Sequence, residues 1–310
     1  MDLELLVIGG GPAGLTAGIY ASRLGLRALV LEKGLAGGML REAPQIENFP
    51  GEKRITGEEL AEKLKEHALQ YVSVREGEEV LEVRRLPQGF EARTGRNSYQ
   101  TSAVIFCTGT SRRKLGLPRE EEFLGRGLSY CAICDGPLFR GKRVAVVGGG
   151  NSAVMEAIHL RELGCEVFLI HRRSELRAEE HLQRRLEGVN LKLNRVVEEI
   201  LGKNSVEGLR LLNTRSGERE ELPVEGVFVA VGEIPNTSLA VPLGVRLRED
   251  GYISVDAAQR TSVPGVYAAG DVTGGARQIV VACSQGAVAA LSAFEDLKSP
   301  YWKREAQKPS

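Results

Sequence analysis

The chain has 310 residues, 42% hydrophobic and 26% charged, a length that suits two cores better than one and a composition able to fill them. Lys+Arg and Asp+Glu both number 41, so a strong general polyanion binder is excluded, and five cysteines are too few and odd for a secreted disulfide framework. Met1-Asp2-Leu3-Glu4 lacks the basic start of a signal peptide, and the uncharged stretch Leu5 to Ser22, broken by five glycines and a proline, is a poor membrane span, so a soluble cytoplasmic protein is expected.

Leu5-Leu6-Val7-Ile8 predicts a buried strand and Gly9-Gly10-Gly11-Pro12-Ala13-Gly14 a Gly-x-Gly-x-x-Gly turn. The apolar spacing that follows predicts a helix, and the run ending at Leu31 a second strand. This is a βαβ dinucleotide unit, whose glycines allow a tight turn and close backbone approach while the helix N-terminus faces a pyrophosphate. Glu32 lies 18 positions after Gly14, where a carboxylate accepts both ribose hydroxyls of an unphosphorylated adenosine. The unit reads as an FAD site. Val104-Ile105-Phe106-Cys107-Thr108-Gly109 is a later apolar strand ending in glycine.

Next comes Cys131-Ala132-Ile133-Cys134-Asp135-Gly136. A zinc site needs about four ligands, and Cys107, Cys165, Cys283 and the four histidines are scattered singly. Two small buried residues at an Asp-Gly-Pro turn, or a redox-active dithiol at the shortest easily bridged spacing, both suit the pattern. The first unit then repeats: Val144-Ala145-Val146-Val147 leads into Gly148-Gly149-Gly150-Asn151-Ser152-Ala153, in register through Ile158 and Leu163-Gly164. Two copies in strand–turn–helix–strand context make chance glycine-rich turns a poor explanation. His171, 18 positions after Ala153, is followed by Arg172, Arg173 and Arg177. A carboxylate there would repel a 2′-phosphate and guanidiniums pair with it, so this copy reads as an NADPH site. Beside two such cofactors, the dithiol reading of Cys131 and Cys134 is favoured.

Val227-Phe228-Val229-Ala230-Val231-Gly232 matches the strand ending at Gly109. Thr261 to Asp271, ending Ala268-Ala269-Gly270-Asp271, resembles the segment by which FAD-dependent disulfide reductases bring an aspartate to the flavin's ribityl chain. The expected fold is α/β, two doubly wound Rossmann-like domains with the NADPH domain inserted into the FAD domain. The FAD domain would cover 1–113 and 244–310, interrupted near Arg113-Lys114 and resumed near Leu243-Gly244. The NADPH domain, 114–243, would carry the CxxC and hang on two connecting strands. The polar tail from Lys298 to Ser310 is expected to fray.

The order of FAD fingerprint, Cys-Ala-x-Cys-Asp, NADPH fingerprint, His-Arg-Arg-x-x-x-Arg-Ala and Ala-Gly-Asp resembles the low-molecular-weight thioredoxin reductases. Gly37-Gly38, Glu47-Asn48-Phe49-Pro50-Gly51 and Ser129-Tyr130 extend the resemblance from Leu5 to about Leu297. It implies an FAD- and NADPH-dependent homodimer that reduces a thioredoxin or a thioredoxin/glutaredoxin-like protein, with no nucleic acid or membrane partner. Cys134 would face the flavin, Cys131 would attack the partner's disulfide, and Asp135 would be the acid/base. FAD would be held by Gly9, Gly11, Pro12, Ala13, Gly14, Glu32, Gly38, Asn48, Gly109, Asp271 and the Arg277-Gln278-Ile279 backbone, with Val80 at the adenine end. NADPH would be held by Gly148, Gly150, Asn151, Ser152, Ala153, Arg172, Arg173 and Arg177, with His171 beside the ribose.

Two departures stand out. Met39 replaces a glutamine usual after Gly37-Gly38, and Cys283-Ser284-Gln285-Gly286 replaces a small-residue run near the flavin ring. Cys283 is expected to be a small buried residue, Cys107 an inert strand residue and Cys165 an exposed turn residue. The nearest rivals are a reductase serving a ferredoxin or peroxiredoxin system, a disulfide-forming oxidase, which would not need the arginine cluster, and a flavin-binding sensor without turnover.

Overall fold

The computed structural model describes residues 3–43 and 45–299, so the expected fraying beyond residue 299 lies outside the described residues. The chain divides into two compact units, one of residues up to Ser111 together with those from Ile234 onward, the other Arg112–Glu233. The first unit therefore resumes at Ile234, ahead of the expected Leu243-Gly244, because Ala240 is buried in its core and Leu239 and Leu243 pack against it. The connecting segments Thr110–Arg112 and Glu233–Pro235 pair as a two-stranded ribbon.

In the first unit Leu3–Ile8 lies parallel between Ala28–Leu31 and Ser98–Phe106, with Ser73–Arg75 beyond Ala28–Leu31. The long strand Ser98–Phe106 is shared: its first residues pair antiparallel with Phe90–Thr94, its last run parallel with Val266–Ala268. Leu5, Leu6 and Val7 are fully buried, as expected of a parallel strand covered on both faces. One face packs against the helices Pro12–Arg23 and Ile279–Lys298. The latter helix is long and apolar enough to cross a membrane by length and composition, a feature the sequence pattern had not singled out. Its Ala282, Gly286, Ala289, Ala290 and Ala293 are buried instead. A Cβ on Gly286 would stand 2.1 Å from the Ala13 carbonyl oxygen, so only glycine allows the two helices to approach this closely.

The second unit is built on a parallel sheet ordered Asn190–Leu193, Glu166–His171, Arg143–Gly148, Gly226–Ala230, Leu128–Ser129. The helix Asn151–Glu162 covers one face through Ala153, Val154, Ala157 and Ile158. The antiparallel strands Arg195–Leu201, Gly208–Asn213 and Arg219–Pro223 supply Ile200, Leu209, Leu211 and Leu222 to the other. Both glycine fingerprints stand at carboxyl ends of central parallel strands, where such sheets bind ligands.

Candidate functional site

In the first unit, glycine is dictated at the fingerprint for different reasons at different positions. A Cβ on Gly14 would lie 1.8 Å from the Gly9 carbonyl oxygen, and one on Gly9 would lie 2.2 Å from that of Cys107. Around Gly11, by contrast, nothing lies within 4 Å, so the space a side chain would fill stays open. The helix Pro12–Arg23 begins there with no side-chain cap and no acidic residue in its first turn, leaving amides free for an anion. Glu32 is oriented by two backbone donors, Gly10 N–H at 2.6 Å and Gly34 N–H at 2.8 Å. Two such bonds leave carboxylate lone pairs for ribose hydroxyls. The loop that leads to Val80 is tied to the same place through Glu78 N–H on the Glu32 carbonyl, 2.9 Å.

The other flavin candidates converge on this turn from distant positions. Gly38 has φ +56°, and a Cβ there would stand 3.5 Å from the Gly11 Cα. Gly270, at φ +78°, packs against the fingerprint helix, since a Cβ there would lie 2.9 Å from that of Ala13, and Asp271 is the next residue along the chain. Asn48 Nδ2 donates to Gln278 Oε1 at 3.2 Å, joining two candidates, while Ile279 opens the helix. Arg277 is exposed on the same segment, and Gly109, φ +63°, borders open space. These placements fit a flavin dinucleotide.

Four residues to which the sequence assigned no role in the site, Asn236, Arg41, Glu76 and Gln285, hold it in shape. Asn236 Nδ2 donates to the Thr108 carbonyl at 2.8 Å and its own carbonyl accepts from Thr108 Oγ1 at 2.6 Å, fixing the approach to Gly109. Pro235-Asn236 signals a turn, but not that the asparagine reaches so far back. Arg41 donates to the Ala36 carbonyl at 2.5 Å and pairs with Glu58 and Glu62, while Glu76 accepts from Ala36 N–H at 2.7 Å. Both peptide groups of the residue before Gly37-Gly38 are thereby held. Gln285 Oε1 accepts from Gly270 N–H at 2.8 Å, which gives the unusual Cys283-Ser284-Gln285-Gly286 segment a backbone partner.

In the second unit the pattern recurs. A Cβ on Gly148 would meet the Ala230 carbonyl oxygen at 2.4 Å and one on Gly149 the His171 ring at 2.2 Å, whereas around Gly150 nothing lies within 4 Å. The helix Asn151–Glu162 starts there, bringing Ser152 and Ala153 into its first turn. Asn151 uses both side-chain amide atoms on Glu179, accepting at 2.9 Å and donating at 2.7 Å, which leaves its backbone for a ligand. Arg177 N–H donates to the Gly149 carbonyl at 2.6 Å, laying the arginine loop across the turn. Arg172, Arg173 and Arg177 are exposed, and none has a carboxylate partner among the described residues. His171 is buried with Nε2 unpartnered in the structure. Burial, then Arg177, Arg173 and Arg172, push its pKa down, which favours the neutral ring. An open glycine turn, an orphaned buried nitrogen and three unpaired guanidiniums fit a phosphorylated dinucleotide.

Cys131 and Cys134 form a disulfide, with Cα atoms 5.3 Å apart. Cys131 is the N-cap of the short helix Ala132–Asp135 and its Sγ accepts from Cys134 N–H at 3.2 Å. Cys134 is exposed and Cys131 partly so. Burial raises the pKa of Asp135, opposed by the Ser129 hydroxyl and by Arg112. Ser129 Oγ lies 2.6 Å from Asp135 Oδ2. Cys165 is not exposed as expected: it is 6% accessible and its Sγ donates to the Phe139 carbonyl at 3.0 Å, because the turn it follows folds beneath that loop. Cys107 is buried, its thiol pushed well up by desolvation, and Cys283 is half-buried with its thiol pushed up the same way. Neither environment favours a thiolate.

Residues 3–286 match the family of pyridine nucleotide-disulphide oxidoreductases. The chain is 40% identical over 306 residues to a thioredoxin reductase of Listeria innocua, covering 95% of each. It is 42% identical over 303 residues to a component of the alkyl hydroperoxide reductase of Pseudomonas putida, covering 58% of that protein. The crystal structure of a thioredoxin reductase from Streptococcus pyogenes matches with a TM-score of 0.88 and 37% identity, over 96% of this chain and 98% of that one.

Proposed function

Given that this chain belongs to the pyridine nucleotide-disulphide oxidoreductase family and, within it, to the thioredoxin reductases, we propose that Cys131, Cys134 and Asp135 pass electrons from NADPH to a thioredoxin-like protein. The observation that carries this reading is the Cys131–Cys134 disulfide at a helix start, beside a partly buried carboxyl, in the unit that holds the second glycine turn and its exposed arginines. Bound FAD would supply the two-electron relay between nicotinamide and disulfide.

Gly9, Gly11, the first turn Pro12-Ala13-Gly14, Glu32, Gly38, Asn48, Val80, Gly109, Asp271 and Arg277-Gln278-Ile279 would hold FAD. Gly148, Gly150, Asn151, Ser152, Ala153, His171, Arg172, Arg173 and Arg177 would hold NADPH. In the reduced enzyme the Cys131 thiolate attacks one sulfur of the partner's disulfide, forming a mixed disulfide and releasing a partner thiolate. Asp135 gives that thiolate a proton and recovers one from the Cys134 thiol. Cys134 then attacks the Cys131 sulfur, closing Cys131–Cys134 and releasing the second partner thiolate, which takes the proton first lost by Cys131. Two electrons leave the dithiol and the partner gains two thiols.

The chain order places the dithiol and the NADPH residues in one unit and the FAD residues in the other. Turnover then uses a swing of the inserted domain about its two connecting strands, in a cytoplasmic homodimer. An engineered cross-link that tethers the domains should block thioredoxin reduction while internal dithiol–flavin exchange survives. The activity itself is tested by anaerobic bleaching of the bound flavin with NADPH, followed by reoxidation with thioredoxin. A flavin that bleaches but reoxidises only with a peroxiredoxin system would favour the second reading, which the Pseudomonas putida relative supports.

A further inference from the structure

We propose that Ser129 is a positioning residue of the redox centre, its hydroxyl linking the proton carrier Asp135 to the backbone of the attacking cysteine Cys131 in both protonation states of the carboxyl. The inference rests on the functional reading above. Ser129 is 3% exposed and ends the edge strand Leu128–Ser129, where its register is set by parallel pairing with Phe228. The sheet thus fixes the serine independently of the cysteines.

Its Oγ lies 2.6 Å from Asp135 Oδ2, 3.0 Å from the Cys131 nitrogen and 3.4 Å from the Cys131 carbonyl oxygen. A hydroxyl carries one proton and two lone pairs. With Asp135 ionised, Cys131 N–H donates to Ser129 Oγ and the serine proton goes to Oδ2. With Asp135 protonated on Oδ2, the carboxyl donates to Oγ and the serine proton turns to the Cys131 carbonyl. Serine, carboxyl and amide therefore stay hydrogen-bonded whichever state the proton is in, as a buried group requires. The link also outlasts the disulfide, because it runs through hydroxyl, carboxyl and backbone and not through sulfur. Among the other groups nearby, Arg112, from the strand Thr110–Arg112, is the charge that acts on Asp135. His159, from the packed helix, stands beside Gly136, 3.8 Å from where its Cβ would be, and Cys131 and Cys134 both precede the carboxyl along the chain.

The test follows single-turnover oxidation of NADPH-reduced holoenzyme by thioredoxin as a function of pH. It reads the apparent pKa that Asp135→Asn abolishes. In Ser129→Ala that pKa should rise by about one unit, because the serine bonds the ionised carboxylate more strongly than the protonated carboxyl. Ser129→Thr, which keeps the hydroxyl, should leave it in place. Infrared titration of the Asp135 carboxyl in the same proteins should show the same shift without turnover. In an Asp135→Asn background, Ser129→Ala should slow the reaction less than it does in the wild type, since only the contact to the Cys131 backbone is then lost. An unmoved pKa in Ser129→Ala, an equal shift in Ser129→Thr, or an undiminished loss in the Asp135→Asn background would each overturn the inference. Wild-type protein that passes no electrons from NADPH to thioredoxin would instead overturn the functional reading beneath it.

Discussion

Replacing Arg172 and Arg173 together by alanine should convert an NADPH-preferring enzyme into one that barely distinguishes NADPH from NADH. In the structure both guanidiniums are exposed at the end of the strand Glu166–His171, with no carboxylate partner among the described residues to compete for them. Charge-assisted hydrogen bonds contribute roughly 1.5–3 kcal/mol each, and exposure argues for the lower figure. Two such contacts, about 3 kcal/mol, correspond to a fall on the order of a hundredfold in kcat/KM for NADPH. NADH lacks the 2′-phosphate and should change only a few-fold. The phosphate contribution is screened within about 8 Å at physiological salt, so NADPH KM should climb with ionic strength in the wild type and much less in the variant. Removing two positive neighbours should also let the His171 pKa rise toward its ordinary value, since Arg173 and Arg172 are among the causes that hold it down. Steady-state kinetics with both nucleotides, with an NMR titration of His171, would measure these effects. An unchanged NADPH/NADH ratio would refute the assignment of the second fingerprint to NADPH.

Three further outcomes are expected. Gly149→Ala must displace the His171 imidazole, which lies 2.2 Å from the added carbon, so flavin reduction by NADPH should collapse while FAD content and its visible spectrum persist; retained reduction kinetics would contradict the packing. Cys134→Ser should accumulate a mixed disulfide between Cys131 and thioredoxin, seen on non-reducing gels, whereas an adduct through Cys134 in the Cys131→Ser protein would reverse the two roles. Thr56→Ala removes the capping box that Thr56 and Glu59 form at the helix Gly57–Leu69, and should lower stability by about 1 kcal/mol in thermal unfolding without altering turnover.

The two nucleotide units, their order and the dithiol between them are legible in the sequence because each is local. A βαβ turn is written in the spacing of glycines and apolar residues within some thirty positions, and a CxxC within four. Glu32 and the Arg172 cluster become candidates for the same reason: they stand at a fixed offset from a fingerprint. The tertiary structure decided what depends on the order in which strands assemble. Asn236 reaches Thr108 across 128 positions, Gln278 meets Asn48 across 230, and no short-range period records either contact. Residues 234–243 return to the first unit because their apolar side chains find its core, not because composition changes there. Cys165 looked like an exposed turn residue and is buried, since exposure is set by the loop at Phe139 that folds over it. Ser129 lies only six positions before Asp135, yet its hydroxyl meets that carboxyl because parallel pairing with Phe228 holds the serine at the sheet edge while the short helix turns the aspartate back toward it.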